Sequence, residues 1–399
     1  MPDIAKVGRH ALHGPLGDIV VLDLSRALAG PHAAQMLGDL GAKVIKVEHP
    51  QGGDESRGWG PPFVGPDRDI STYFLSANRN KLSVTVDLKS PDGKHLLERL
   101  VRQSDVLIEN FRTGVLDRLG FPVDRLHELN PRLVVLSITG FGHDGPEGGR
   151  PGYDQIAQGE AGLMSLTGPS PDEPYRVGAS IADLLAGMNG AFGVLAALYE
   201  RARTGKGRVV RTSLLASVVG VHAYHGTAWT VAGVVPKAQG NHHASIAPYG
   251  AFRCADGMIQ IACGNDAQWR KLAPILGIDP EDPRYATNQQ RFAHRDELIA
   301  DMEKALATAD RAHWLGLLAE AGIPAGAIRS IDEVYQWEQT RSQGLVIEVD
   351  HPVLGRIELP GPVLRFDGLP PREHTPPPLL GEHNDAVLQW LAEREERER

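Results

Sequence analysis

Short runs of β-branched and aliphatic residues alternate with amphipathic stretches through the first third of the chain. The runs, which are typical of strands buried on both faces, lie at 19–24, 43–47, 83–86, 106–108 and 133–138. Helical spacing of apolar residues is found between them, at 33–40 and 94–103. This alternation predicts the α/β class, with a mostly parallel, Rossmann-like sheet that binds its ligand at the carboxyl ends of the strands.

A longer apolar stretch at 184–199 has the spacing of a helix. Glycines and alanines lie between its large side chains, which predicts close packing against neighbouring backbone. Asp183 stands where the apolar run begins. The spacing leaves two interpretations of this acid open. It is a capping residue of the helix, or it is a carboxylate nucleophile whose ionised form the helix N-terminus favours.

A second pattern of strands and helices begins after residue 224. A hairpin is indicated at 251–253 and 258–262, followed by helices at 267–276, 296–307 and 311–321. Because 399 residues are long for one domain, we expect a small α+β domain over 225–328 and a large domain formed by 1–224 and 329–399. The last part shows another hairpin, a helix at 385–391 and a Glu- and Arg-rich tail that we expect to be solvated.

Composition and charge narrow the function classes. The formal net charge is −9, so there is no electrostatic reason to expect nucleic acid or an anionic membrane as a partner. Cys254 and Cys263 show no metal-binding spacing, so we expect two buried thiols, a reducing compartment and no metal. We find no signal segment and no apolar run of membrane-spanning length, which predicts a cytoplasmic protein.

The first strand is not followed by a dinucleotide motif. In place of GxGxxG the chain reads SRALAGP at 25–31, and Glu48 after the second strand is followed by His49. An NAD-dependent dehydrogenase is therefore disfavoured.

Motifs along almost the whole chain resemble those of the family III CoA-transferases, a group that also includes the α-methylacyl-CoA racemases. They occur in the family's order between residues 17 and 390, as GDIVVLDLSRALAGPHAAQMLGDLGAKVIKVEHPQGGDESRGWGPPF, SANRNKLSVTVDLK, DVLIENFRTGVLDRLGF, LSITGFGHDGP, RTGKG and PPLLGEH. The resemblance implies an enzyme that takes coenzyme A thioesters as substrates and holds no permanently bound cofactor. It also implies that Asp183 is the nucleophile and that two chains form an interlocked homodimer.

The same resemblance implies a set of residues along the bound coenzyme A. They are Arg26, Leu28, Ala29, His49, Lys81, Asn110, Arg112 and Arg118. His49 occupies a position where several relatives have an arginine, and histidine is a weaker phosphate ligand because it is mostly uncharged at neutral pH. The arginines are expected to recognise anionic groups through their planar guanidinium groups.

The acyl and acceptor site is expected at Tyr153, Asp154, His242 and His243. Segments 53–65, 153–168 and 241–252 resemble the succinyl-CoA:glutarate branch of the family, which implies succinyl-CoA or another dicarboxyl-CoA as the donor. The glycine-rich loop of the oxalate branch is missing. A distal carboxylate needs a cation, for which the sequence offers Arg79 and Arg176.

Two alternatives to CoA transfer stay open. The first is an α-methylacyl-CoA racemase or epimerase, in which a histidine stands before the acid at 154 and exchanges the α-proton. Here that position is Tyr153, whose pKa near 10 makes it a poor base at neutral pH, so transfer is favoured. The second is a non-catalytic acyl-CoA-binding protein, which the presence of Asp183 disfavours.

Overall fold

The computed structural model describes residues 14–367 and 373–398, which divide into two compact units. The larger unit comprises residues up to 163 together with 177–231 and 338–399, and the smaller comprises 164–176 and 232–337, where the sequence led us to expect 225–328. The strands are β1 (Val20–Asp23), β2 (Lys43–Glu48), β3 (Phe63–Val64), β4 (Ile70–Ser71), β5 (Lys81–Thr85), β6 (Val106–Glu109), β7 (Val134–Thr139), β8 (Val209–Ser213), β9 (Tyr249–Cys254), β10 (Gly257–Ala262), β11 (Ala325–Ala327), β12 (Val346–His351) and β13 (Gly355–Pro360).

The α-helices are numbered in the same way along the chain. They are α1 (Ala29–Asp39), α2 (Thr72–Ser76), α3 (Pro91–Arg102), α4 (Val115–Arg118), α5 (Val123–Leu129), α6 (Asp154–Glu160), α7 (Ile181–Thr204), α8 (Leu214–Gly220), α9 (Ala223–Ala232), α10 (Asp266–Ile275), α11 (Asn288–Ala293), α12 (Arg295–Leu306), α13 (Arg311–Glu320), α14 (Ile331–Gln336), α15 (Glu338–Ser342) and α16 (Asn384–Glu398). The strands and helices predicted from the spacing are thus present, with ends that differ by a few residues.

A parallel sheet forms the centre of the larger unit. Its strand order is β5–β2–β1–β6–β7–β8, and every neighbouring pair runs parallel. The chain first builds outward from β1 through β2 to β5 and then returns to place β6 on the other side of β1. This is the strand order of a Rossmann-like doubly wound sheet, and its switch point lies between β1 and β6. The crevice at the carboxyl ends of these two strands is the place where such sheets bind ligands.

Alternate side chains of each central strand enter two different hydrophobic clusters. Val21 of β1 faces the side covered by α1 and α7, whereas Val20 and Leu22 face the side covered by α3, α5 and α16. Because the side chains of a strand alternate between faces, a run that is apolar at every position buries both faces of the sheet.

Glycines along α7 let this helix approach its neighbours closely. A Cβ placed at Gly187 would lie 2.6 Å from the carbonyl oxygen of Ala29, and one at Gly193 would lie 2.6 Å from the Val210 side chain. The close packing expected from the small residues is therefore confirmed. It brings the start of α7 directly against the start of α1.

The smaller unit has its own core. Strands β9, β10 and β11 form an antiparallel sheet in the order β11–β10–β9, which confirms the predicted hairpin. Helices α10, α12 and α13 contribute apolar side chains to one cluster, which also buries the free thiols Cys254 and Cys263.

The helix predicted at 385–391 is longer than expected, because α16 continues to Glu398; Val387 and Leu391 pack in the cluster on the α3 and α5 side of the sheet, and the Glu- and Arg-rich end is mostly exposed, as expected. One feature of the larger unit differs from the sequence prediction. Within the described residues, α7 is long and apolar enough to cross a membrane by length and composition alone, contrary to the expectation that no such run exists. A buried core helix meets the same criteria, and α7 packs on the sheet through Gly190 and Gly193.

Candidate active site

Asp183 lies in the first turn of α7, but it does not cap the helix. The N-cap residue is Ser180, which makes no side-chain capping bond. The side chain that caps the start of α7 is that of Asp154, which belongs to α6. Its Oδ1 accepts hydrogen bonds from the backbone N–H of Ala182 at 2.8 Å and of Asp183 at 3.4 Å. Its Oδ2 accepts from Gln158 Nε2 at 2.7 Å. The capping interpretation of Asp183 is therefore wrong, and its carboxylate is left for another use.

The environment of Asp183 changes its acidity. Burial, and to a smaller extent the negative charge of Asp154, raise the pKa of Asp183 from 3.8 to about 7. Burial disfavours the charged form, and a nearby like charge adds to that effect. A carboxylate held in this way is weakly solvated and more basic than an exposed one, which suits a nucleophile.

Tyr73 belongs to the same neighbourhood and was missed by the sequence reasoning. Burial first, then the charge of Asp183, raise the pKa of Tyr73 to about 12, while a hydrogen bond with the Ser180 side chain acts in the opposite direction. Its phenol therefore stays protonated and can donate a hydrogen bond. Tyr73 sits in α2, which Ser71 caps, and its ring meets Trp59 edge to face at 5.0 Å. No local pattern marks such a residue, because its position within electrostatic range of Asp183 depends on the packing of distant elements.

Two of the expected coenzyme A residues bridge the crevice at the switch point. The side chain of Asn110, just after β6, accepts from the N–H of Arg26 at 2.9 Å and donates to its C=O at 2.8 Å. The Arg26 guanidinium lies over the Phe111 ring, 5.2 Å from its centre. Leu28 and Ala29 follow at the start of α1 and are buried. The structure thus brings Arg26, Leu28, Ala29 and Asn110 together.

The other expected coenzyme A residues have different surroundings. His49 is exposed at the carboxyl end of β2, and its Nδ1 accepts from the N–H of Gln51 at 3.0 Å. Arg112 and Arg118 are exposed on the segment after β6. Lys81 is enclosed in the protein, where its Nζ donates to Asp23 at 2.9 Å and also to Pro31 and Asn78. An ammonium with these partners supports the sheet rather than meeting a ligand at the surface.

Arg79 is also used inside the protein. Its guanidinium forms a bidentate salt bridge with Asp39, in which Nε lies 2.9 Å from Oδ1. It also donates a hydrogen bond to the carbonyl oxygen of Pro360 at 2.9 Å. The residue is 5% exposed. This arrangement does not offer Arg79 to an acceptor carboxylate. Arg176 is exposed in the smaller unit.

The remaining acyl-site candidates divide between the two units. Tyr153 is 62% exposed and precedes the buried Asp154 at the start of α6. His242 and His243 lie in the smaller unit, where the His242 ring packs against Phe252 and the His243 ring against Tyr249. Burial lowers the pKa of His242, so this imidazole is neutral at pH 7.

The backbone N–H of Gly187 is not available to a substrate oxygen. This residue lies inside α7, where a backbone N–H is used by the helix itself. Its lack of a side chain instead lets Ala29 approach.

Over residues 14–367 and 373–398, no group of three or more His, Cys, Asp or Glu side chains is arranged to hold a metal ion.

These observations define a class of enzyme. A buried, basic carboxylate stands at a helix start, close to a crevice at the switch point of a doubly wound sheet. The sequence pattern of CoA-transferase family III matches residues 16–384, and the chain belongs to that family; it is a family III CoA-transferase.

Named relatives agree over nearly the full length. Succinyl-CoA:glutarate CoA-transferase of Mus musculus is 40% identical over 384 residues, which cover 96% of this chain and 87% of the relative. Succinate–glutarate CoA-transferase of Agrobacterium fabrum is 40% identical, covering 94% of this chain and 96% of the relative. The crystal structure of a CAIB/BAIF family protein from Brucella suis superimposes with a TM-score of 0.86 at 40% identity, covering 95% of this chain and 99% of that one.

Proposed function

We propose that this enzyme moves coenzyme A from a dicarboxyl-CoA donor such as succinyl-CoA to a carboxylic acid acceptor, with Asp183 as the covalent nucleophile. The observation that carries the proposal is the state of Asp183. It lies in the first turn of α7, is largely buried, and leaves the capping of the helix to Asp154.

The chemistry follows from the carboxylate. An oxygen of Asp183 attacks the thioester carbonyl carbon of the donor, and CoA leaves as a thiolate, which produces a mixed anhydride. The thiolate then attacks the carbonyl carbon of Asp183 and releases the donor acid, which leaves an aspartyl-CoA thioester.

The acceptor carboxylate attacks this thioester and again expels the thiolate, which finally attacks the acyl carbon of the acceptor and regenerates the Asp183 carboxylate. No net proton is taken up or released. The protonated phenol of Tyr73 lies within electrostatic range of Asp183, and in this scheme it donates a hydrogen bond as negative charge develops on an oxygen beside Asp183.

Two relatives are named for different donor and acceptor acids. The mouse relative is named for succinyl-CoA and glutarate, whereas the Acetobacter aceti relative, 38% identical, is named acetyl-CoA:oxalate CoA-transferase. The missing glycine-rich loop favours the first of these, and we propose a dicarboxylate acceptor longer than oxalate.

The test is mass spectrometry of acyl-CoA products after incubation with succinyl-CoA and a panel of acids, including glutarate and oxalate, in D2O. We expect a new CoA ester that requires one acid of the panel, with free succinate released in equal amount. An Asp183→Ala enzyme gives the background. Deuterium at the α-carbon without exchange of the acid would establish a racemase instead. Binding of CoA esters without release of any acid would establish a binding protein.

We also propose that the enzyme is a homodimer. Large apolar side chains on the outer face of α7 are exposed in the single chain, with Phe192 74% and Tyr199 68% accessible, and Trp229 on α9 is 58% accessible. Surfaces of this kind are usually covered in an assembly. Light scattering of the purified enzyme should give twice the chain mass of 43.2 kDa, and a monomer at micromolar concentration would contradict the proposal.

A further inference from the structure

The loop between β1 and α1 is fixed by side chains that come from other elements. Asn110 holds both backbone groups of Arg26, as described above. The carbonyl oxygen of Ser25 accepts from Lys46 Nζ at 3.0 Å. The N–H of Ala27 donates to Asp54 Oδ1 at 3.0 Å. This loop has no regular secondary structure, so these side chains take the place of a hydrogen-bond ladder.

Ala27 is held in a conformation that it does not prefer. Its φ is +65°, in the left-handed region where a Cβ clashes with the neighbouring carbonyl group. A non-glycine residue stays in this region only where its surroundings impose it. The Ala27 N–H donates a hydrogen bond to the Asp54 side chain, which fixes the backbone of this residue.

Asp54 is itself held on both sides. It caps the short 3-10 helix at 55–58, where its Oδ1 accepts from the N–H and the hydroxyl of Ser56. Its Oδ2 faces Lys46 Nζ at 2.8 Å in an ion pair whose two side chains are fully buried.

The loop meets the nucleophile helix directly. Ala29, two residues after Ala27, lies so close to Gly187 that a Cβ there would stand 2.6 Å from its carbonyl oxygen. Tyr73 lies within electrostatic range of both Asp54 and Asp183. Ala29 therefore connects this loop to the helix that carries Asp183 in its first turn.

We infer that Asp54, supported by Lys46, is a positioning residue. It holds Ala27 in its left-handed conformation and thereby fixes the position of the loop between β1 and α1 relative to Asp183. The inference rests on the proposed function, because the position of this loop affects the rate of CoA transfer only if Asp183 attacks a bound thioester. Asp54 touches no reacting atom in this scheme. Its effect passes through Ala27.

A double-mutant cycle in the full-length enzyme tests the link, with Asp54→Asn, Ala27→Gly and the double variant. Glycine adopts a positive φ without steric cost, so it no longer needs Asp54 for that purpose. Asparagine has one acceptor oxygen where aspartate has two, so it cannot face both Lys46 Nζ and the Ala27 N–H with oxygen atoms. In the wild-type background we therefore expect Asp54→Asn to lower kcat by about tenfold or more, because a small misplacement of reacting groups has large effects on rate. In the Ala27→Gly background the same substitution should lower kcat by about threefold or less. Equal fold losses in the two backgrounds would overturn the inference.

Asp105→Asn is the matched control. Asp105 also fixes a backbone N–H, that of Val20 at 2.9 Å, and pairs with the buried Arg201 at 3.0 Å, but it lies at the amino ends of β1 and β6, whereas Asp54 follows the carboxyl end of β2. We expect this variant to lower the melting temperature and leave kcat within about twofold. A loss of kcat equal to that of Asp54→Asn would mean that general destabilisation, not positioning, is at work, and would overturn the inference.

A further readout separates this inference from the proposed function. The melting temperatures of the same four proteins form a second cycle that needs no activity, and Asp54→Asn should lower the melting temperature less when residue 27 is glycine. A wild-type enzyme that transfers no CoA refutes the proposed function alone, whereas an active enzyme with additive effects in both cycles refutes the inference alone. Where Asp54→Asn does not fold, Ala27→Val disturbs the same residue with the ion pair intact, and an unchanged kcat would overturn the inference.

Discussion

Asp183→Asn tests how strongly the protein disfavours the ionised nucleophile. The pKa of Asp183 in the folded protein is about 7, raised first by burial and then by Asp154, whereas the unfolded chain has the ordinary value of 3.8. Between these two values the folded protein binds a proton that the unfolded chain has lost. The free energy of unfolding therefore falls as pH rises through this window, and the loss is complete above about pH 7.

The size of the effect follows from the two pKa values. Each pH unit between them corresponds to about 1.4 kcal/mol. The Asp183 carboxyl group therefore destabilises the folded wild type by about 1.5 kcal/mol at pH 5 and by about 4 kcal/mol at pH 8. Asparagine has nearly the same size and no charge, so the variant should be more stable than the wild type, and more so at pH 8.

The assay is urea unfolding of both proteins at pH 5 and pH 8, at one protein concentration. Asp124→Asn, which removes an exposed carboxylate at the start of α5, is the control and should show no such trend. A difference between Asp183→Asn and wild type that is the same at both pH values would refute the reasoning about burial. The same variant should transfer no CoA, and activity in it would refute the assignment of the nucleophile.

Three further substitutions have distinct expected outcomes. Asp154→Asn keeps an oxygen for the helix cap but removes the charge beside Asp183, so the pKa of Asp183 falls and the rising limb of the pH–rate profile moves to lower pH; an unmoved profile would contradict this. Tyr73→Phe removes the protonated phenol and should lower kcat by about tenfold in steady-state assays, with full activity counting against its role. Arg79→Lys breaks the two-pronged contact with Asp39 and should lower the free energy of unfolding by about 2 kcal/mol without changing KM for the acceptor acid; a raised KM would show that Arg79 does reach the acceptor.

Much of the fold could be predicted from local patterns. Strands buried on both faces are apolar at consecutive positions, and β1, β6 and β7 were recognisable for that reason. The small residues of α7 indicated close packing, which Gly187 and Gly193 confirm. These features depend on residues that are neighbours in the chain, so periodicity is enough to detect them.

The partners of the charged residues could not be predicted in this way. Asp183 looked like a helix cap from its position in the chain, yet the cap is Asp154, which α6 brings to the same place. Arg79 looked available for a substrate carboxylate, and only the packed structure pairs it with Asp39.

The sequence by itself determined the α/β class, the order of the elements and the presence of an acid at the start of the central helix, because each depends on local spacing or on motifs along one stretch of chain. The tertiary structure alone decided the chemistry of that acid. Burial and the approach of Asp154 raise the pKa of Asp183, and Tyr73 joins it from a separate helix. A pKa depends on the solvation and the charges within a few ångströms, and those neighbours are set by how distant segments pack.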